Sequence, residues 1–529
     1  MKAKILVSDP LAEEGLQILK DSGFPVDVKT KLTEDELCGI IGEYDCLIVR
    51  SGTKVTKKVI EAGKNLKVVG RAGVGVDNID VPAATEKGIL VMNTPSANIL
   101  SAAEHTVAML LSLARNIPFA HASMHKGEWQ RGKYTGVEMN GKTLGVIGVG
   151  RVGGEVIKRF KGFNMKMIGY DPFLPKEVAD NLGVRLTTLE EVLRTSDFMT
   201  IHTPLLPDTK NMISTEQFEM MKPNARLANV ARGGIVDEEA LYQALKNKRI
   251  AGAAFDVWCE EPLCEYEKKL LELDNLVTTP HLGASTVEAQ ERVATEIAEC
   301  VVAYLKDGTV ANAINAPRGK LDPETEAYAP LAERMGVLAQ NLNGSAPIDE
   351  LEITYCGGLA GKQTKLLTIY TVIGALKNII GSGQANLINA LSIAKGKGIA
   401  IKESSTDEAK EYTNIIEVKT VSGGKSRVIR GTVFGGQPRL VGIDEYSFEV
   451  PMSGDMIYVR YKDTPGVIGS IGTALGNAGI NIAQMAVGRH GDSAMMVLIV
   501  DQDVSSVTLG DVVRAAGAED AKFIDLVEN

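Results

Sequence analysis

The chain has 529 residues and a formal net charge of −10 at pH 7, with 44% hydrophobic and 23% charged residues. This length exceeds what one hydrophobic core can organise, so roughly three to five domains are expected. The acidic balance argues against a general nucleic-acid or membrane-surface role, but it leaves room for a small basic pocket that binds an anion. No C-x-x-C spacing occurs among the six cysteines, which predicts a reduced chain without a disulfide framework or structural zinc.

The first ten residues, MKAKILVSDP, predict a short strand that ends in an acid rather than a signal peptide. The longest apolar run, near residues 107–114, is far shorter than the ~20 residues that span a bilayer. We therefore expect a cytoplasmic protein.

Residues 1–97 alternate short strand-like runs with helical stretches, which predicts βαβ units and a mostly parallel sheet. A capping-box pattern from Ser101 to Glu104 predicts that a long helix begins there, and Pro118 predicts its interruption. Residues 286–306 predict a further long helix, and residues 312–324 resemble a linker.

Between residues 143 and 283, six apolar runs each end in residues suited to dinucleotide chemistry. These residues are the turn Gly148 to Gly153, Asp171, Thr203, Arg232, Asp256 and His281. In an open parallel sheet, ligands bind outside the carboxyl ends of the strands, so these groups should lie together at one edge of the sheet. The pattern predicts an α/β fold with a Rossmann-type doubly wound sheet and indicates a nicotinamide-dependent dehydrogenase.

The second half of the chain has a different pattern. Residues 325–450 mix helical and strand-like runs with many glycines, which predicts an α+β domain. From Asp455 the order strand, helix, strand, strand, helix, strand predicts a ferredoxin-like domain.

The glycine turn G-V-G-R-V-G follows a strand and precedes a helix, which is the context that the dinucleotide fingerprint requires. Gly148 permits the tight turn, Gly150 lets backbone amides approach a pyrophosphate, and Gly153 lets the helix pack closely on the strand. Asp171, at the next strand end, is predicted to accept the adenosine ribose hydroxyls and to repel a 2′-phosphate. NAD is therefore favoured over NADP.

Oxidation of a hydroxy acid needs a base for the hydroxyl proton and a cation for the carboxylate. His281 is the predicted base, and Arg232 offers a fork of donors that can grip a carboxylate. Glu261 is predicted to hold the second imidazole nitrogen of His281 and to raise its pKa. The remaining histidines are expected to be structural: His105, His121, His125, His202 and His490.

Seven segments then carry a resemblance: RAGVGVDNID, NTPSANILSAAEHT, GKTLGVIGVGRVGGEV, IHTPLLPDTKNMI, NVARGGIVDEEAL, GAAFDVWCEEP and PHLGAST. In this order over about 1–315, they resemble the D-isomer-specific 2-hydroxyacid dehydrogenase family, and MIYVRYKDTPGVIGSIGTALGNAGINI resembles an ACT domain. Residues 320–450 match a long branch of the family by position only. The resemblance implies a flavodoxin-like substrate domain (1–97 and 286–316) with an inserted NAD-binding domain (98–285), an intervening regulatory domain (317–452) and an ACT domain (455–529).

The resemblance also implies an activity, namely NAD-dependent oxidation of 3-phospho-D-glycerate to 3-phosphohydroxypyruvate at the start of serine biosynthesis. It makes Arg232, Glu261 and His281 catalytic, with Glu261 chosen over its neighbour Glu260 because the family glutamate directly precedes a proline. The implied cofactor contacts are Gly148, Gly150, Arg151, Val152, Gly153, Asp171, Thr203, Val230, Ala231, Arg232, Asp256, His281, Leu282, Gly283 and Ala284. The implied substrate contacts are Arg50, Ser51, Gly52, Arg71, Gly73, Val74, Asn98 and Arg131, with Arg131 reaching a neighbouring subunit's site.

Val74 stands where relatives often carry a small hydroxyl residue, which puts one cofactor hydrogen bond in doubt. In the ACT domain, Tyr461, Asp463 and Asn481 match positions that bind L-serine between two subunits, which implies feedback inhibition; a purely oligomerising domain is the alternative. Lys395 and Lys397 either contact an anion or form a solvated turn. A homotetramer or a homodimer is expected.

Two further functions stay open from the sequence. The chain could act on another hydroxy acid, such as glyoxylate, hydroxypyruvate or lactate. It could also resemble NAD-sensing transcriptional corepressors of the same family, although the presence of Arg232, Glu261 and His281 together disfavours this.

Overall fold

The structure, a computed structural model, describes residues 2–265, 267–317, 321–344, 346–409 and 411–526. Its first sheet is parallel and has five strands in the order β2-β1-β3-β4-β5, which is the flavodoxin order. The strands are β1 (Ile5–Val7), β2 (Val26–Val28), β3 (Cys46–Val49), β4 (Val68–Arg71) and β5 (Leu90–Met92). The helices are α1 (Glu13–Asp21), α2 (Glu34–Ile40), α3 (Lys57–Ala62) and α4 (Val81–Glu86), with a 3-10 turn at Ile41–Glu43.

The chain then crosses to a second sheet through helices α5 (Ile99–Ala114) and α6 (Ile117–His125). The prediction of a capping box at Ser101 is wrong, because α5 already begins at Ile99. Ser101 is buried within the helix, and its hydroxyl lies 2.8 Å from that of Thr286, at the second crossing between the sheets. The interruption at Pro118 is confirmed, because Asn116 has a φ of 54° and Pro118 lies in the first turn of α6.

Seven parallel strands form the second sheet, in the order β12-β11-β10-β9-β6-β7-β8. The strands are β6 (Thr143–Ile147), β7 (Lys166–Tyr170), β8 (Arg185–Leu186), β9 (Phe198–Ile201), β10 (Arg226–Asn229), β11 (Gly252–Phe255) and β12 (Leu276–Thr278). The helices are α7 (Arg151–Phe160), α8 (Lys176–Leu182), α9 (Leu189–Thr195), α10 (Thr215–Met220) and α11 (Glu238–Lys246), with 3-10 turns at Lys161–Phe163 and Glu267–Glu272. The predicted doubly wound sheet is confirmed, and its order reverses between β6 and β9, where such sheets bind their ligands.

Helix α12 (Val287–Asp307) returns to the first sheet and packs on it. A Cβ atom on Gly70 of β4 would lie only 3.0 Å from the side chains of Ile297 and Val301, so glycine there allows the close approach of this helix. Ala313 then pairs with Met92 in an antiparallel bridge.

A mixed six-stranded sheet follows, in the order β14-β13-β15-β16-β17-β18, and it is antiparallel except for the β13-β14 pair. The strands are β13 (Glu350–Gly357), β14 (Ala400–Thr406), β15 (Asn414–Ser422), β16 (Lys425–Phe434), β17 (Gln437–Ile443) and β18 (Tyr446–Pro451). The helices are α13 (Pro323–Glu326), α14 (Ala329–Asn343), α15 (Lys365–Ile380) and α16 (Ala390–Gly396). Helices α14 and α15 meet at Gly336 and Gly374, where a Cβ atom would fall within about 2 Å of the facing backbone.

The last unit has the predicted ferredoxin-like order, with four antiparallel strands arranged β20-β21-β19-β22. Its elements are β19 (Asp455–Lys462), α17 (Val467–Asn477), β20 (Ile482–His490), β21 (Ser493–Val500), α18 (Ser506–Ala516) and β22 (Asp520–Asp525). One face of this sheet packs on α17 and α18. The other face, which includes Tyr458 and Val497, joins the core of the preceding sheet. Within the described residues, no helix combines the length and the apolar character needed to cross a bilayer.

Candidate active site

The glycine turn lies between β6 and the start of α7, at the switch point of the second sheet. Gly148 has a φ of 87°, which favours glycine, and a Cβ atom on Gly153 would lie 2.2 Å from the Gly148 carbonyl oxygen. A Cβ atom on Gly150 would meet open space, and no side chain caps the helix there. The turn therefore presents the N-terminus of α7 without a side-chain cap, which favours a phosphate group.

Two side chains around this turn fit a dinucleotide. Asp171, at the end of β7, accepts hydrogen bonds from the backbone amides of Val149 and Phe173, both at 3.0 Å, so its carboxylate is anchored beside the turn. The Thr203 hydroxyl is buried and has no hydrogen-bond partner among the described residues. An orphaned hydroxyl beside a glycine turn is consistent with a bound polar ligand. Arg151 extends away from the turn and donates to Ser96 at 3.0 Å.

Asp256, predicted as a direct cofactor contact, is fully buried and anchors the turn that carries His281. It accepts hydrogen bonds from the amides of Leu282 and Gly283 at 2.7 and 2.8 Å, and from the Thr279 hydroxyl at 2.5 Å. The His105 ring lies 3.2 Å from the same carboxylate, in line with its predicted structural role. Burial raises the pKa of Asp256, but the hydrogen bonds, that of His105 foremost, outweigh burial and leave the pKa lowered.

The predicted imidazole–carboxylate pair is formed, because His281 Nδ1 lies 2.6 Å from Glu261 Oε2. The other oxygen of Glu261 accepts the Trp258 amide at 3.1 Å. The hydrogen bond to Glu261 raises the pKa of His281, against burial and the nearby Arg232, which lower it. Because Glu261 engages Nδ1, Nε2 is the nitrogen left to exchange a proton with a substrate.

Arg232, in the loop after β10, reaches across to the first sheet. Its Nε lies 3.4 Å from the Asp77 carboxylate, and a Cβ atom on Gly75 would lie 2.3 Å from its terminal nitrogen. Glycine at position 75 therefore makes room for the guanidinium, which lies between the two sheets.

Arg50 and Arg71, at the ends of β3 and β4, complete a cationic cluster with Arg232. Burial, followed by the charges of Arg232 and Arg50, lowers the pKa of Arg71 to about 10. A buried guanidinium with two cations beside it favours a bound anion, because the anion would relieve the repulsion.

Three polar residues that were not predicted hold this cluster in place. Asp9 accepts the amides of Arg50 and Thr53 at 2.6 and 3.0 Å, and a Cβ atom on Gly52 would lie 2.8 Å from its carboxylate. Asn78 donates to the carbonyls of Arg50 and Thr53 at 2.7 and 2.6 Å and accepts from Arg71 Nε at 3.2 Å. The only sequence signal for Asp9 was its place at the end of the first strand; Asn78 had none.

A third such residue is Asn93, which donates to the Val74 carbonyl at 2.5 Å and keeps a buried amide oxygen without a partner among the described residues. Gly73 has a φ of 154°, and a Cβ atom there would lie 2.2 Å from the Arg71 guanidinium. The loop with Gly73 and Val74 therefore lines the cluster.

Other predicted positions lie at the edges of this cleft or outside it. Val230 is buried and Ser51 is exposed, whereas the remaining four are half-buried: Val152, Ala231, Ala284 and Asn98. Arg131 is exposed in the loop after α6. Lys395 and Lys397 are exposed at the end of α16.

In the last unit, Tyr461 is buried in the core, and burial raises its pKa. Asp463 pairs with Arg489 at 3.3 Å, and the Asn481 amide donates to Asp501 at 2.5 Å. In this chain, Asp463 and Asn481 are thus engaged with side chains of their own domain.

Hydride transfer from a hydroxy acid to a dinucleotide is assisted by a base for the hydroxyl proton and by a cation that orients the acid. The cleft between the two sheets brings together the imidazole of His281, the arginines around Arg71 and a glycine turn suited to a phosphate group. The class of protein is therefore a nicotinamide-dependent hydroxy-acid dehydrogenase.

Comparison with known proteins narrows the class. The profile of the D-isomer specific 2-hydroxyacid dehydrogenase NAD binding domain matches residues 107–283, that of the D-3-phosphoglycerate dehydrogenase intervening domain matches residues 324–444, and that of the ACT domain matches residues 456–516. D-3-phosphoglycerate dehydrogenase of Methanocaldococcus jannaschii is 45% identical, covering 99% of this chain and 100% of the relative. The enzyme of the same name from Archaeoglobus fulgidus is 43% identical, covering 99% of this chain and 100% of the relative.

Among solved structures, D-lactate dehydrogenase from Aquifex aeolicus, complexed with NAD and lactic acid, superposes with a TM-score of 0.54 at 30% identity. The match covers 59% of this chain and 99% of that one. The chain belongs to the D-3-phosphoglycerate dehydrogenase family.

Proposed function

We propose that this chain oxidises 3-phospho-D-glycerate to 3-phosphohydroxypyruvate with NAD as its cofactor, the first step of serine biosynthesis. The full-length relatives carry that activity in their name, and residues 107–283 match an NAD-binding domain. The observation that carries the proposal is the cationic cluster of Arg50, Arg71 and Arg232 facing the His281–Glu261 pair. The substrate carries a carboxylate and a phosphate, and a cluster with more than one arginine suits such a doubly anionic acid better than lactate or glyoxylate.

Each arginine has a distinct proposed role. Arg232, which shares the sheet of His281, binds the carboxylate and the oxygen at C2. Arg50 and Arg71, held by Asp9 and Asn78 on the first sheet, bind the phosphate. This division places the hydroxyl-bearing carbon beside the imidazole.

His281 is the proposed general base. Bound NAD supplies the hydride acceptor. Nε2 of His281 takes the hydroxyl proton, and Glu261 stabilises the resulting imidazolium because its carboxylate is already hydrogen-bonded to Nδ1. Asp256 keeps the His281 turn in place by holding the amides of Leu282 and Gly283.

The cleft lies between the units that contain the first and second sheets, and we propose that these two units close on the substrate. We assign residues 1–97 and 286–316 to the substrate domain and residues 98–285 to the NAD-binding domain. The crossings before α5 and before α12 then form a hinge, where the hydroxyls of Ser101 and Thr286 meet. Closure would exclude water and bring the phosphate-binding arginines to the cofactor.

A substrate panel tests the proposed activity. Purified protein is given NAD or NADP with 3-phosphoglycerate, glycerate or D-lactate, and NADH formation is followed by absorbance. We expect turnover with the phosphorylated acid and NAD, and kcat/KM at least about tenfold lower without the phosphate, which corresponds to ~1.4 kcal/mol of lost binding. Equal kcat/KM with phosphorylated and unphosphorylated acids would instead indicate a hydroxy-acid dehydrogenase of broad specificity. Absence of turnover in both directions would remove it.

We also propose that L-serine inhibits the chain through its ACT domain, with Asp463 and Asn481 at the effector site and the domain paired with a second copy. The Tyr461 side chain belongs to the domain core and not to this site. Asp463 and Asn481 lie next to the carboxyl end of β19 and the start of β20, where a loop precedes α17. Serine titration of the initial rate, with light scattering for the oligomeric state, tests this proposal. Unchanged rates at millimolar serine, or a monomer, would contradict it.

A further inference from the structure

Glu261 belongs to a loop, Trp258–Cys264, whose backbone amides point at two buried carboxyl groups; we name it the glutamate loop. Glu238, the first residue of α11, is 7% exposed and accepts the Cys259 amide at 2.8 Å. Glu267, at the start of a 3-10 turn, is 2% exposed and accepts the amides of Glu260 and Cys264 at 3.0 and 2.8 Å. Cys259 and Glu260, which directly precede Glu261, therefore both donate their backbone amides to buried carboxyl groups.

The two carboxyl groups have unequal protonation. Burial, followed by the hydrogen bond to Glu267, raises the pKa of Glu238 to about 7. Burial also raises the pKa of Glu267, but the hydrogen bonds from Glu238 and the two amides outweigh it and leave that pKa lowered. Below about pH 7 the proton of the pair therefore lies on Glu238, while Glu267 is a carboxylate with both oxygens used as acceptors.

The glutamate loop also contacts the loop after β10, which carries Arg232. A Cβ atom on Gly233 would lie 1.9 Å from the Trp258 carbonyl oxygen, so the two backbones are in contact directly after Arg232. The Trp258 amide in turn donates to Glu261. The loop is therefore clamped between the residue that follows Arg232 and the two carboxyl groups.

We propose that Glu238 and Glu267 are positioning residues, which hold the glutamate loop so that Glu261 stays against Nδ1 of His281. Neither touches the imidazole, so both act through Glu261. The inference rests on the proposed role of His281 as the base.

A pH profile of the enzyme can respond to the titratable groups near His281 and near the Glu238–Glu267 pair. His281 faces Glu261, Asp256 and Arg232. The carboxyl pair faces the Cys259 thiol, and one atom each of Glu238, Cys259 and Glu267 lie within 4.8 Å of one another. Burial, with these two acids beside it, raises the pKa of that thiol to about 12, so Cys259 stays neutral over the working range.

The test compares Glu267→Gln with Glu238→Gln. A glutamine at 267 has one acceptor oxygen for two amides, and its own amide hydrogens face a donor. A glutamine at 238 reproduces the protonated acid, which accepts from Cys259 and donates to Glu267. We therefore expect Glu267→Gln to lower kcat by about 10- to 100-fold, as a small displacement of a catalytic contact does. Glu238→Gln should retain most of the turnover.

Three readouts separate positioning from general damage. The acid limb of kcat/KM, set by His281, should move to lower pH in Glu267→Gln, because a displaced Glu261 no longer raises the imidazole pKa. KM for NAD should stay within about threefold of the wild type, a change worth less than ~1 kcal/mol. In a Glu261→Gln background, Glu267→Gln should add almost nothing, since the two changes remove the same contact.

Glu272→Gln, exposed on the same 3-10 turn, controls for loss of a negative charge. If Glu267→Gln does not fold, Glu238→Ala, which removes the acceptor of one amide only, carries the same three readouts. A wild-type enzyme that turns over, with variants whose acid limb is unmoved or whose losses add fully to that of Glu261→Gln, would overturn the inference. A wild-type enzyme without turnover would instead overturn the proposed function.

Discussion

The guanidinium of Arg232 lies 3.4 Å from the carboxylate of Asp77, across the cleft between the two sheets. Asp77 is largely exposed, so this ion pair contributes little to stability. It does, however, provide Arg232 with a counter-ion where the substrate carboxylate is proposed to bind. In the proposed function, the substrate carboxylate therefore competes with Asp77 for Arg232.

Replacing Asp77 with Asn should tighten substrate binding. The amide cannot compete as an anion for Arg232, so KM for 3-phosphoglycerate should fall by about two- to fivefold, the range expected for an exposed ion pair. Steady-state kinetics at low and high salt measure this, and the difference should shrink in high salt. Asp35→Asn, which removes an exposed ion pair with Lys58 elsewhere on the first unit, is the control. A raised KM would show that Asp77 supports the site instead.

Replacing His281 with Asn should remove the base while leaving the fold intact, since the His281 side chain is half exposed. We expect kcat to fall by roughly 10²- to 10⁴-fold, with KM for NAD little changed. Initial rates in both directions measure the effect, and His125→Asn, exposed on α6, provides the matched control. Near-normal turnover would mean that another group takes the proton.

The pH profile follows from the raised pKa of His281. Oxidation needs the neutral imidazole, so kcat/KM should rise with pH through a midpoint above the usual histidine value, about 6.5. Reduction of the keto acid needs the imidazolium, so its rate should fall with pH through the same group. Glu261→Gln removes the largest cause of the raised pKa and leaves burial and Arg232, which lower it. The oxidation limb should therefore move to lower pH, with a plateau reduced at least about tenfold.

Rate profiles from pH 5 to 10 for both proteins measure this shift. Glu260→Gln, whose backbone amide and not its side chain contacts Glu267, is the neighbouring control. The assignment of Glu261 would be wrong if the Glu260 variant, and not the Glu261 variant, moved the limb.

Replacing Asn78 with Ala should weaken substrate binding and leave NAD binding unchanged. It removes two hydrogen bonds to the carbonyls of Arg50 and Thr53 and one from Arg71, so both arginines that we propose for the phosphate lose part of their support. KM for 3-phosphoglycerate should rise by about 10- to 100-fold, equivalent to one or two lost charge-assisted hydrogen bonds, while KM for NAD is unchanged. Asn65→Ala, which removes a single exposed contact to Gly42, controls for loss of an amide on the same unit. Parallel increases in both KM values would indicate general distortion.

Local sequence rules were sufficient for the elements that carry the cofactor. Gly148, Gly150 and Gly153 follow a buried strand and precede a helix, so their spacing alone predicted the turn and its phosphate-binding amides. The strand ends at Asp171 and His281 were likewise readable, because a parallel sheet brings all carboxyl ends of its strands to one edge. The two-residue edge strand Arg185–Leu186 was not predicted, since a run that short has no periodicity.

The groups that support the site were decided by tertiary structure. Asp9 and Arg50 are 41 positions apart, and Glu238 meets the glutamate loop across 21 positions. Nothing in the neighbouring sequence marks such a polar residue, because its role depends on which backbone amides the fold brings to it. For the same reason, Ser101 resembled a helix cap in the sequence but is buried against Thr286 in the fold. Hydrophobic periodicity and strand ends therefore identified the candidate site residues from the sequence. Burial and long-range hydrogen bonds, which only the tertiary structure shows, determine how those residues are held in place.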